Sequence, residues 1–284
     1  MEIRIGTRKS ELALIQSEMA AGAIRAAFPD VRTELVHITT KGDIVLDKHL
    51  ERIGGKGVFI GEIERAMLDG EIDIAVHSAK DLPLSLAEGT CICAVLPRAD
   101  AHDVLVTVKG RELPREPVVG TSSTRRAAGI KKLLPDAAAR DIRGNVDTRL
   151  AKLAEGQYDA VILAAAGLER LGAFSDSRFE YKSIDIKTLV PAPCQGIVAV
   201  QSRLCPTAEI LRKISDSDTY ACFETERRVL ALLDAGCSSP AGAYARISDG
   251  SITLTVTKDQ KKILTDSAPI SERLILAQRL VSVL

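Results

Sequence analysis

The sequence predicts an α/β protein with two similar lobes and a smaller C-terminal α/β unit. Short β-type runs alternate with segments of helical periodicity from the N-terminus to about residue 164. That alternation is typical of a largely parallel sheet with helices on both faces. Segments of the first half are echoed, in the same order, in the second half. After Leu189 the pattern changes, which marks the third unit.

The first lobe is predicted from five alternating elements. The first helix is indicated by apolar residues that recur at helical spacing from Leu12 to Ala23. The strands carry β-branched and other apolar residues in short runs. The elements are, in order, strand Glu2–Ile5, helix Ser10–Ala27, strand Thr33–Ile38, helix Phe59–Leu68 and strand Ile72–Val76.

The second lobe repeats this order. Its elements are strand Pro117–Gly120, helix Arg125–Leu134, strand Ala139–Ile142, helix Val146–Ala154 and strand Asp159–Ala164. The echoes are specific, because IGTRKSELA is matched by VGTSSTRRA, KGD by RGN, and GEIDIAV by GQYDAVI. Ligands bind beyond the carboxyl ends of strands in open α/β sheets, where the GT, KGD and RGN loops lie. We therefore expect two related lobes that face each other across a binding cleft.

The C-terminal part begins with VPAPCQG (Val190–Gly196), whose two prolines indicate a stiff crossing segment. A strand then returns to the first lobe, and the third unit follows. Its elements are strand Ile197–Gln201, helix Cys222–Leu233, loop AGCSSPAG, a strand pair at Tyr244–Ile247 and Ser251–Thr257, and a final helix from Ser271. The predicted domains are residues 1–97 with 196–214, residues 98–195, and residues 215–284.

Composition excludes several classes of protein. Lys and Arg number 38 and Asp and Glu also 38, and aromatic residues make up 3%, so neither a basic face nor stacking rings indicate nucleic acid. No apolar run approaches the length of a membrane span, and the N-terminus does not resemble a signal peptide. The six cysteines contain no C-x-x-C pair, which argues against zinc and a disulfide framework. We expect a cytosolic globular protein.

Four arginines lie at predicted loop–helix junctions, in GTSSTRR and RGNVDTR. They are Arg125, Arg126, Arg143 and Arg149. A guanidinium binds an oxyanion with two parallel hydrogen bonds, and the N–H groups of a helix start add to the attraction. Two arginines in a first helical turn oppose the helix dipole, so a structural helix would favour acidic residues there. The sequence therefore predicts a carboxylate or phosphate site.

Three further segments each allow two interpretations. In HSAKDLP, His77, Lys80 and Asp81 are expected to leave the sheet at its carboxyl edge, either as a solvated loop or as a carboxylate beside the cationic site. The glycine-rich stretch before the second helix is a candidate lid or a flexible linker. It consists of Gly54, Gly55, Lys56 and Gly57. Cys237 lies in a loop of small residues, where packing does not select for a cysteine, and it is either an incidental loop cysteine or a residue with a covalent role.

These segments together resemble the porphobilinogen deaminase (hydroxymethylbilane synthase) family. The motifs occur in order from about residue 3 to residue 245, as IGTRKSELAL, TKGD, GGKGVF, IDIAVHSAKDLP, GTSSTRR, RGNVDTRL, AAAGLERLG and the late AGC loop. The resemblance implies three domains, the first two being lobes of the type II periplasmic-binding-protein kind. It also implies a dipyrromethane cofactor held by a thioether to Cys237. The expected protein is a monomeric cytoplasmic transferase of tetrapyrrole and haem biosynthesis.

The resemblance assigns roles to residues at matching positions. Porphobilinogen carries an acetate, a propionate and an aminomethyl group, and the family joins four of these molecules to the cofactor before releasing a linear tetrapyrrole. Asp81 corresponds to the catalytic aspartate, which stabilises the cation left when ammonia departs. The implied carboxylate-binding residues are Arg8, Ser10, Lys80, Thr121, Ser123, Arg125, Arg126, Arg143, Arg149 and Arg170.

Two segments depart from the family's usual pattern. The cofactor loop reads AGCSSPAG where GGCQVPIG is common, and the crossing segment reads PAPCQG where PAVGQG is usual. Cys194 therefore adds a second thiol near the expected hinge. The alternative functions are a two-lobed anion- or amino-acid-binding protein without catalysis and a catalytically impaired deaminase-like protein. A binding protein would need neither Asp81 nor Cys237.

Overall fold

The structure, a computed structural model, describes residues 1–39, 61–235 and 239–284. The predicted lid residues Gly54, Gly55, Lys56 and Gly57, and Cys237, lie outside these ranges. The strands are β1 Glu2–Thr7, β2 Arg32–His37, β3 Ile74–Ser78, β4 Thr90–Val95, β5 Asp103–Val108, β6 Val118–Gly120, β7 Ala138–Arg140, β8 Ala160–Ala164, β9 Phe179–Ile184, β10 Val198–Arg203, β11 Gly242–Ser248, β12 Ser251–Thr257 and β13 Ile263–Pro269. The helices are α1 Glu11–Ala27, α2 Gly61–Leu68, α3 Thr124–Leu133, α4 Val146–Ala154, α5 Ala165–Arg170, α6 Pro206–Leu211, α7 Ser217–Leu232 and α8 Arg273–Ser282.

The chain forms two compact units, residues 1–98 with 197–220, and residues 99–196 with 221–284. The first contains a five-stranded sheet of order β2-β1-β3-β10-β4, and the second a five-stranded sheet of order β7-β6-β8-β5-β9. In each sheet the first three strands are parallel and the fourth is antiparallel to both of its neighbours. The predicted internal repeat is therefore confirmed in strand order and direction. The domain boundaries proposed from the sequence stay predictions.

The sheet of the first unit is covered on both faces, as its alternating pattern requires. Ile74 and Val76 of β3 pack in a cluster with Ile24 of α1, whereas Ala75 packs in a separate cluster with Met67 of α2. Successive side chains of a strand point to opposite faces, so α1 and α2 cover different faces of β3. This arrangement leaves the loops beyond the strand ends for function.

The second unit contains two sheets. Residues of β5, β8, α4 and α5 form one core, and residues of β6, β8 and α3 form another on the opposite face. The three-stranded antiparallel sheet β11-β12-β13 packs with α7 and α8 around a third core. Its first turn, at Asp249 and Gly250, was predicted, and both residues have positive φ as a tight hairpin requires.

Several elements were missed or misplaced by the sequence reasoning. Strands β5, β9 and β13 were not predicted. The predicted C-terminal strand pair is confirmed as β11 and β12, and β13 extends it to a three-stranded sheet. The prediction of a largely parallel sheet was also wrong in detail, because both five-stranded sheets contain antiparallel as well as parallel pairs. Helix α7 begins at Ser217 rather than Cys222, and α8 follows a 3-10 turn, Ile270–Glu272. Strands β5 and β9 belong to antiparallel pairs whose members are distant in sequence, which periodicity does not report, whereas β13 forms a hairpin with β12.

The crossing segment has an unusual backbone. Cys194 has a φ of 64° although it is not glycine, a conformation that costs roughly 1–2 kcal/mol. Its N–H donates to a carboxylate oxygen of Glu226 at 2.5 Å. Gly196 has a φ of 88°, and a Cβ there would lie 2.4 Å from the carbonyl oxygen of Ala99. Glycine is thus required at 196, and Cys194 is held in place by a buried carboxylate.

Candidate functional site

In the first unit, two adjacent parallel strands bring the predicted site residues to one edge. Strands β1 and β3 pair in parallel, so their carboxyl ends lie side by side. The loop after β1 carries Arg8 and Ser10, both half-buried. Ser10 is the N-cap residue of α1, but its side chain makes no capping bond, so the hydroxyl does not serve the helix. The turn after β3 carries Lys80 and Asp81.

Asp81 is held on a short 3-10 turn, Ala79–Asp81. The turn is fixed by backbone bonds, from the N–H of Ala79 to the carbonyl of Ile197 at 3.0 Å and from the N–H of Leu82 to that of Ala79 at 3.3 Å. Leu82 is buried, whereas the Asp81 side chain is exposed. A carboxylate that faces solvent on a rigid turn can meet a substrate without a preceding burial cost.

His77 was expected to leave the sheet with Lys80 and Asp81, and this was wrong. It lies within β3 and is 7% exposed. Its Nε2 lies 3.0 Å from Oε1 of Gln201 on β10. The Gln201 amide in turn donates to Glu64 at 2.8 Å and to Thr90 at 2.9 Å. No motif in the sequence indicates this network, because its members come from four separate elements.

Burial lowers the pKa of His77 to about 4, while its bond to Gln201 and the nearby Glu64 carboxylate oppose the shift. Between that value and the unfolded pKa of about 6.5, the unfolded chain binds the proton and the folded protein does not. We therefore expect the free energy of unfolding to fall on acidification through this window, by up to about 1.4 kcal/mol per pH unit from this one group. Urea denaturation at several pH values would measure the slope. His77→Gln should remove that part of it, and an unchanged slope in the variant would contradict the assignment.

In the second unit, the loop after β6 carries Thr121 and Ser123. Ser123 is the N-cap of α3, and its side chain accepts from the N–H of Arg126 at 3.4 Å. Thr121 is buried, and its hydroxyl accepts from the N–H of Ser123 at 3.2 Å. The loop is therefore ordered by its own hydroxyl groups, as the Gly-Thr-Ser-Ser sequence allows.

Arg125 and Arg126 point into the unit, where they share one buried carboxylate. Asp103 lies 2.7 Å from Nη1 of Arg125 and 2.8 Å from Nη2 of Arg126, and the two arginine side chains are 4% and 9% exposed. Nη1 of Arg125 also donates to the carbonyl of Val190, and Nη1 of Arg126 to that of Ile162, both at 2.9 Å. Burial lowers the pKa of Arg125, and the Asp103 charge opposes that shift. Two guanidinium groups against one carboxylate leave a net positive charge.

The loop after β7 presents Arg143, and Arg149 lies in the helix α4 that follows it. Arg143 pairs through Nε with Asp141 at 3.0 Å, and both side chains stay accessible. Asn145 caps α4 by accepting from the N–H of Thr148 at 2.9 Å. Nε of Arg149 donates to the carbonyl of Gly144 at 2.9 Å. Helix α4 therefore begins on a side-chain cap, and Arg143 remains at the surface of the loop.

Arg170 closes helix α5, directly after strand β8. One terminal nitrogen donates to the carbonyl of Gly196 at 2.7 Å, and its Nε is buried with no hydrogen-bond partner among the described residues. Burial lowers its pKa, and the charge of Glu169 opposes that shift. Strands β6, β7 and β8 are parallel neighbours, so the segments that follow them, with Thr121, Arg143 and Arg170, start from the same edge of this sheet.

The second thiol, Cys194, is 1% exposed and lies against the carbonyl of Phe223 at 3.8 Å. It is thus packed away from solvent.

Among the described residues, no group of His, Cys, Asp and Glu could hold a metal ion. Across the described ranges, no helix has the length and apolar character to cross a membrane.

Two family models match the chain. Residues 3–208 match "Porphobilinogen deaminase, dipyromethane cofactor binding domain", and residues 220–267 match "Porphobilinogen deaminase, C-terminal domain". The two five-stranded sheets have the same strand arrangement, and the C-terminal domain has a family match of its own. Together they confirm the predicted fold class, which is two lobes of the type II periplasmic-binding-protein kind and a C-terminal α/β domain.

Curated relatives with the name porphobilinogen deaminase are similar over most of the chain. The protein of Acetivibrio thermocellus is 44% identical over 256 residues, 90% of this chain and 87% of the relative. That of a Roseiflexus species is 46% identical over 256 residues, 88% of this chain and 83% of the relative. Among solved structures, the aliphatic sulphonate binding protein SsuA of Escherichia coli is 11% identical with a TM-score of 0.44, over 81% of this chain and 70% of that one.

Proposed function

The chain belongs to the porphobilinogen deaminase family, and from that premise we propose how its residues carry out the reaction. The enzyme condenses four porphobilinogen molecules, one at a time, on a covalently bound dipyrromethane, and releases the linear tetrapyrrole hydroxymethylbilane by hydrolysis. It is a transferase of tetrapyrrole biosynthesis. The observation that carries the proposal is Asp81, an exposed carboxylate on a rigid turn at the same sheet edge as Arg8 and Ser10.

The residues present fit the dipyrromethane group, which is anionic because of its acetates and propionates. Cys237 is proposed to hold it by a thioether, and the group serves as the primer to which the first substrate is joined. In the second unit, the buried arginines Arg125 and Arg126 share one carboxylate among the described residues, that of Asp103, and so carry a net positive charge. The hydroxyl of Ser123 and the accessible guanidinium of Arg143 add donors near the same sheet edge. Such a set favours carboxylates.

Each substrate molecule brings two more carboxylates, and desolvating them without cations costs several kcal/mol per charge. Arg143, Arg149 and Arg170 are proposed to pair with them in the second unit, and Arg8 and Lys80 in the first. Arg170 supports this role because its buried Nε has no partner among the described residues. A bidentate guanidinium also fixes the orientation of the ring that it binds.

Asp81 is proposed to act at the reacting carbon. The aminomethyl C–N bond breaks, its electron pair leaves with ammonia, and the pyrrole nitrogen donates electrons to give an azafulvenium cation. A carboxylate beside that cation lowers the energy of the transition state leading to it. The free α-carbon of the preceding ring attacks the methylene carbon, and the α-proton is then lost. In this last step, Asp81 is proposed to take up or relay the proton.

Intact-protein mass spectrometry tests the function against a binding protein of the same fold. We expect the purified protein to be heavier than its sequence by two linked pyrroles and to gain further rings with porphobilinogen. Cys237→Ser should lose the added mass, and Cys194→Ser should keep it, because the Cys194 thiol is buried. A wild-type chain that stays unmodified with porphobilinogen and releases no tetrapyrrole would reject the proposal.

Light scattering would test the proposal that the protein is a monomer. Cell fractionation would test its proposed cytoplasmic location.

Arg143→Ala should impair elongation far more than folding. The ion pair with Asp141 is exposed, and such pairs contribute at most about 1 kcal/mol to stability. A charge-assisted hydrogen bond to substrate is worth roughly 1.5–3 kcal/mol, so we expect a roughly 10- to 100-fold loss in kcat/KM. Steady-state kinetics and thermal denaturation would measure both effects. Arg178→Ala, which removes another exposed pair, is the control. Equal losses of stability and activity in Arg143→Ala would contradict the assigned role.

A further inference from the structure

We propose that His77 and Gln201 are positioning residues that fix the angle at which the turn Ala79–Asp81 leaves strand β3. The inference rests on the proposed role of Asp81 and adds to it two residues that do not touch the substrate. Asp81 is four residues beyond His77. The last residue of β3 and the short turn Ala79–Asp81 connect the two. Whatever orients the end of β3 therefore orients Asp81.

Side chains hold the end of β3 on both faces of the sheet. On the α2 face, His77 contacts Gln201, whose amide donates to Glu64 of α2 and to Thr90 of β4. On the α1 face, the next residue, Ser78, exchanges hydrogen bonds with the side-chain amide of Gln16, at 2.9 and 3.1 Å. The last two residues of the strand are thus fixed by side chains to α1, α2, β4 and β10.

The hydrogen-bond pattern determines the protonation of His77. The Gln201 nitrogen faces the Glu64 oxygen, because the reverse orientation would bring two acceptors together. Gln201 Oε1 is therefore the atom that faces His77, and it can only accept. Nε2 of His77 must then carry the proton and donate. Glu64 also accepts from the N–H of Ala87 at 3.0 Å, so the network continues into the loop before β4.

Stability alone does not explain a polar network at this place. Replacing buried polar groups by apolar residues of similar volume is often neutral for stability, and the three positions of β3 before His77 are apolar. Hydrogen bonds differ from apolar contacts in that they fix both distance and angle. A group that stabilises a developing charge must be held to within roughly 0.5 Å, and a misplacement of about 1 Å can cost on the order of 100-fold in rate. The network supplies that restraint for Asp81.

Four variants test the proposal, each assayed for kcat, KM and melting temperature. His77→Phe keeps a planar aromatic ring but removes the donor, and we expect kcat to fall by about 10-fold or more with KM little changed. His77→Gln retains an N–H at a similar reach and should recover most of kcat. Val76→Ala is the matched control, because Val76 is also 7% exposed but lies on the opposite face of the strand. It should lower the melting temperature and leave kcat near wild type. If His77→Phe does not fold, Gln201→Met, which removes the acceptor, carries the same expectation.

Wild-type kcat in folded His77→Phe or Gln201→Met would overturn the proposal, as would an equal loss of kcat in Val76→Ala at similar stability. Failure of His77→Gln to recover kcat would also overturn it. Asp81→Asn, assayed in parallel, distinguishes a failure of the positioning role of His77 from a failure of the proposed catalytic role of Asp81. If Asp81→Asn is slow and His77→Phe is not, only the positioning role fails. In the double variant, adding His77→Phe to Asp81→Asn should cause little further loss, because the first change acts through the residue that the second removes.

Discussion

Asp81→Asn is expected to lower the turnover of porphobilinogen by roughly 100- to 10,000-fold while the protein stays folded. The substitution is nearly isosteric and removes only the negative charge and the ability to take up a proton. The Asp81 side chain is exposed and its turn is held by backbone bonds, so folding does not depend on the carboxylate. The effect should therefore be on kcat, because the charge is needed only when the cation develops.

Quantification of released hydroxymethylbilane, with single-turnover measurement of ammonia, would check this result. Asp69→Asn is the matched control, since Asp69 is another exposed aspartate of the same unit, located just after helix α2. Its activity should equal that of the wild type. Near-normal tetrapyrrole release by Asp81→Asn would remove the central residue of the proposed mechanism. A loss confined to KM would instead indicate that Asp81 binds the substrate in its ground state.

The lobes could be predicted because each is built from local signals. Strands β1 and β6 both end at a Gly-Thr pair before a helix, and these helices are amphipathic enough to be found by periodicity. Strand β5 could not be found in this way, because its place between β8 and β9 depends on antiparallel pairing with segments more than 50 residues away. The same holds for β10, whose return to the first sheet was expected but whose direction was not.

The site could be predicted only in part, because sequence identifies a charge but not its counter-ion. Arg125 and Arg126 were singled out because cations in a first helical turn oppose the dipole. In the structure both guanidinium groups reach Asp103, more than 20 residues earlier in the chain. Two arginines in a first helical turn are thus explained by a carboxylate within the protein as well as by an anionic ligand. Arg143, with an exposed pair to Asp141, and Arg170, with a buried Nε, differ from them in ways that no motif reveals.

Asp103→Ala is expected to reduce the free energy of unfolding by about 3 to 5 kcal/mol. Asp103 is 1% exposed and is the shared counter-ion of Arg125 and Arg126, so its removal leaves two buried guanidinium groups without an ion pair to any residue that the structure describes. The side-chain amide of Gln195 also donates to Asp103, at 3.2 Å, and to the carbonyl of Ala101, at 2.7 Å. The carboxylate therefore links α3 to the crossing segment within the second unit.

Urea denaturation of Asp103→Ala would measure the loss, with Asp266→Ala as the control. Asp266 pairs with Arg279 at the surface of the same unit, and its removal should cost no more than about 1 kcal/mol. Adding Arg126→Met to Asp103→Ala should restore part of the stability, because it removes one of the two uncompensated charges. A loss in Asp103→Ala as small as in the control would mean that the two arginines are hydrated or paired elsewhere when the carboxylate is absent. In that case they would be available to bind substrate carboxylates without Asp103, and the buried ion pair would be a resting arrangement rather than a structural requirement.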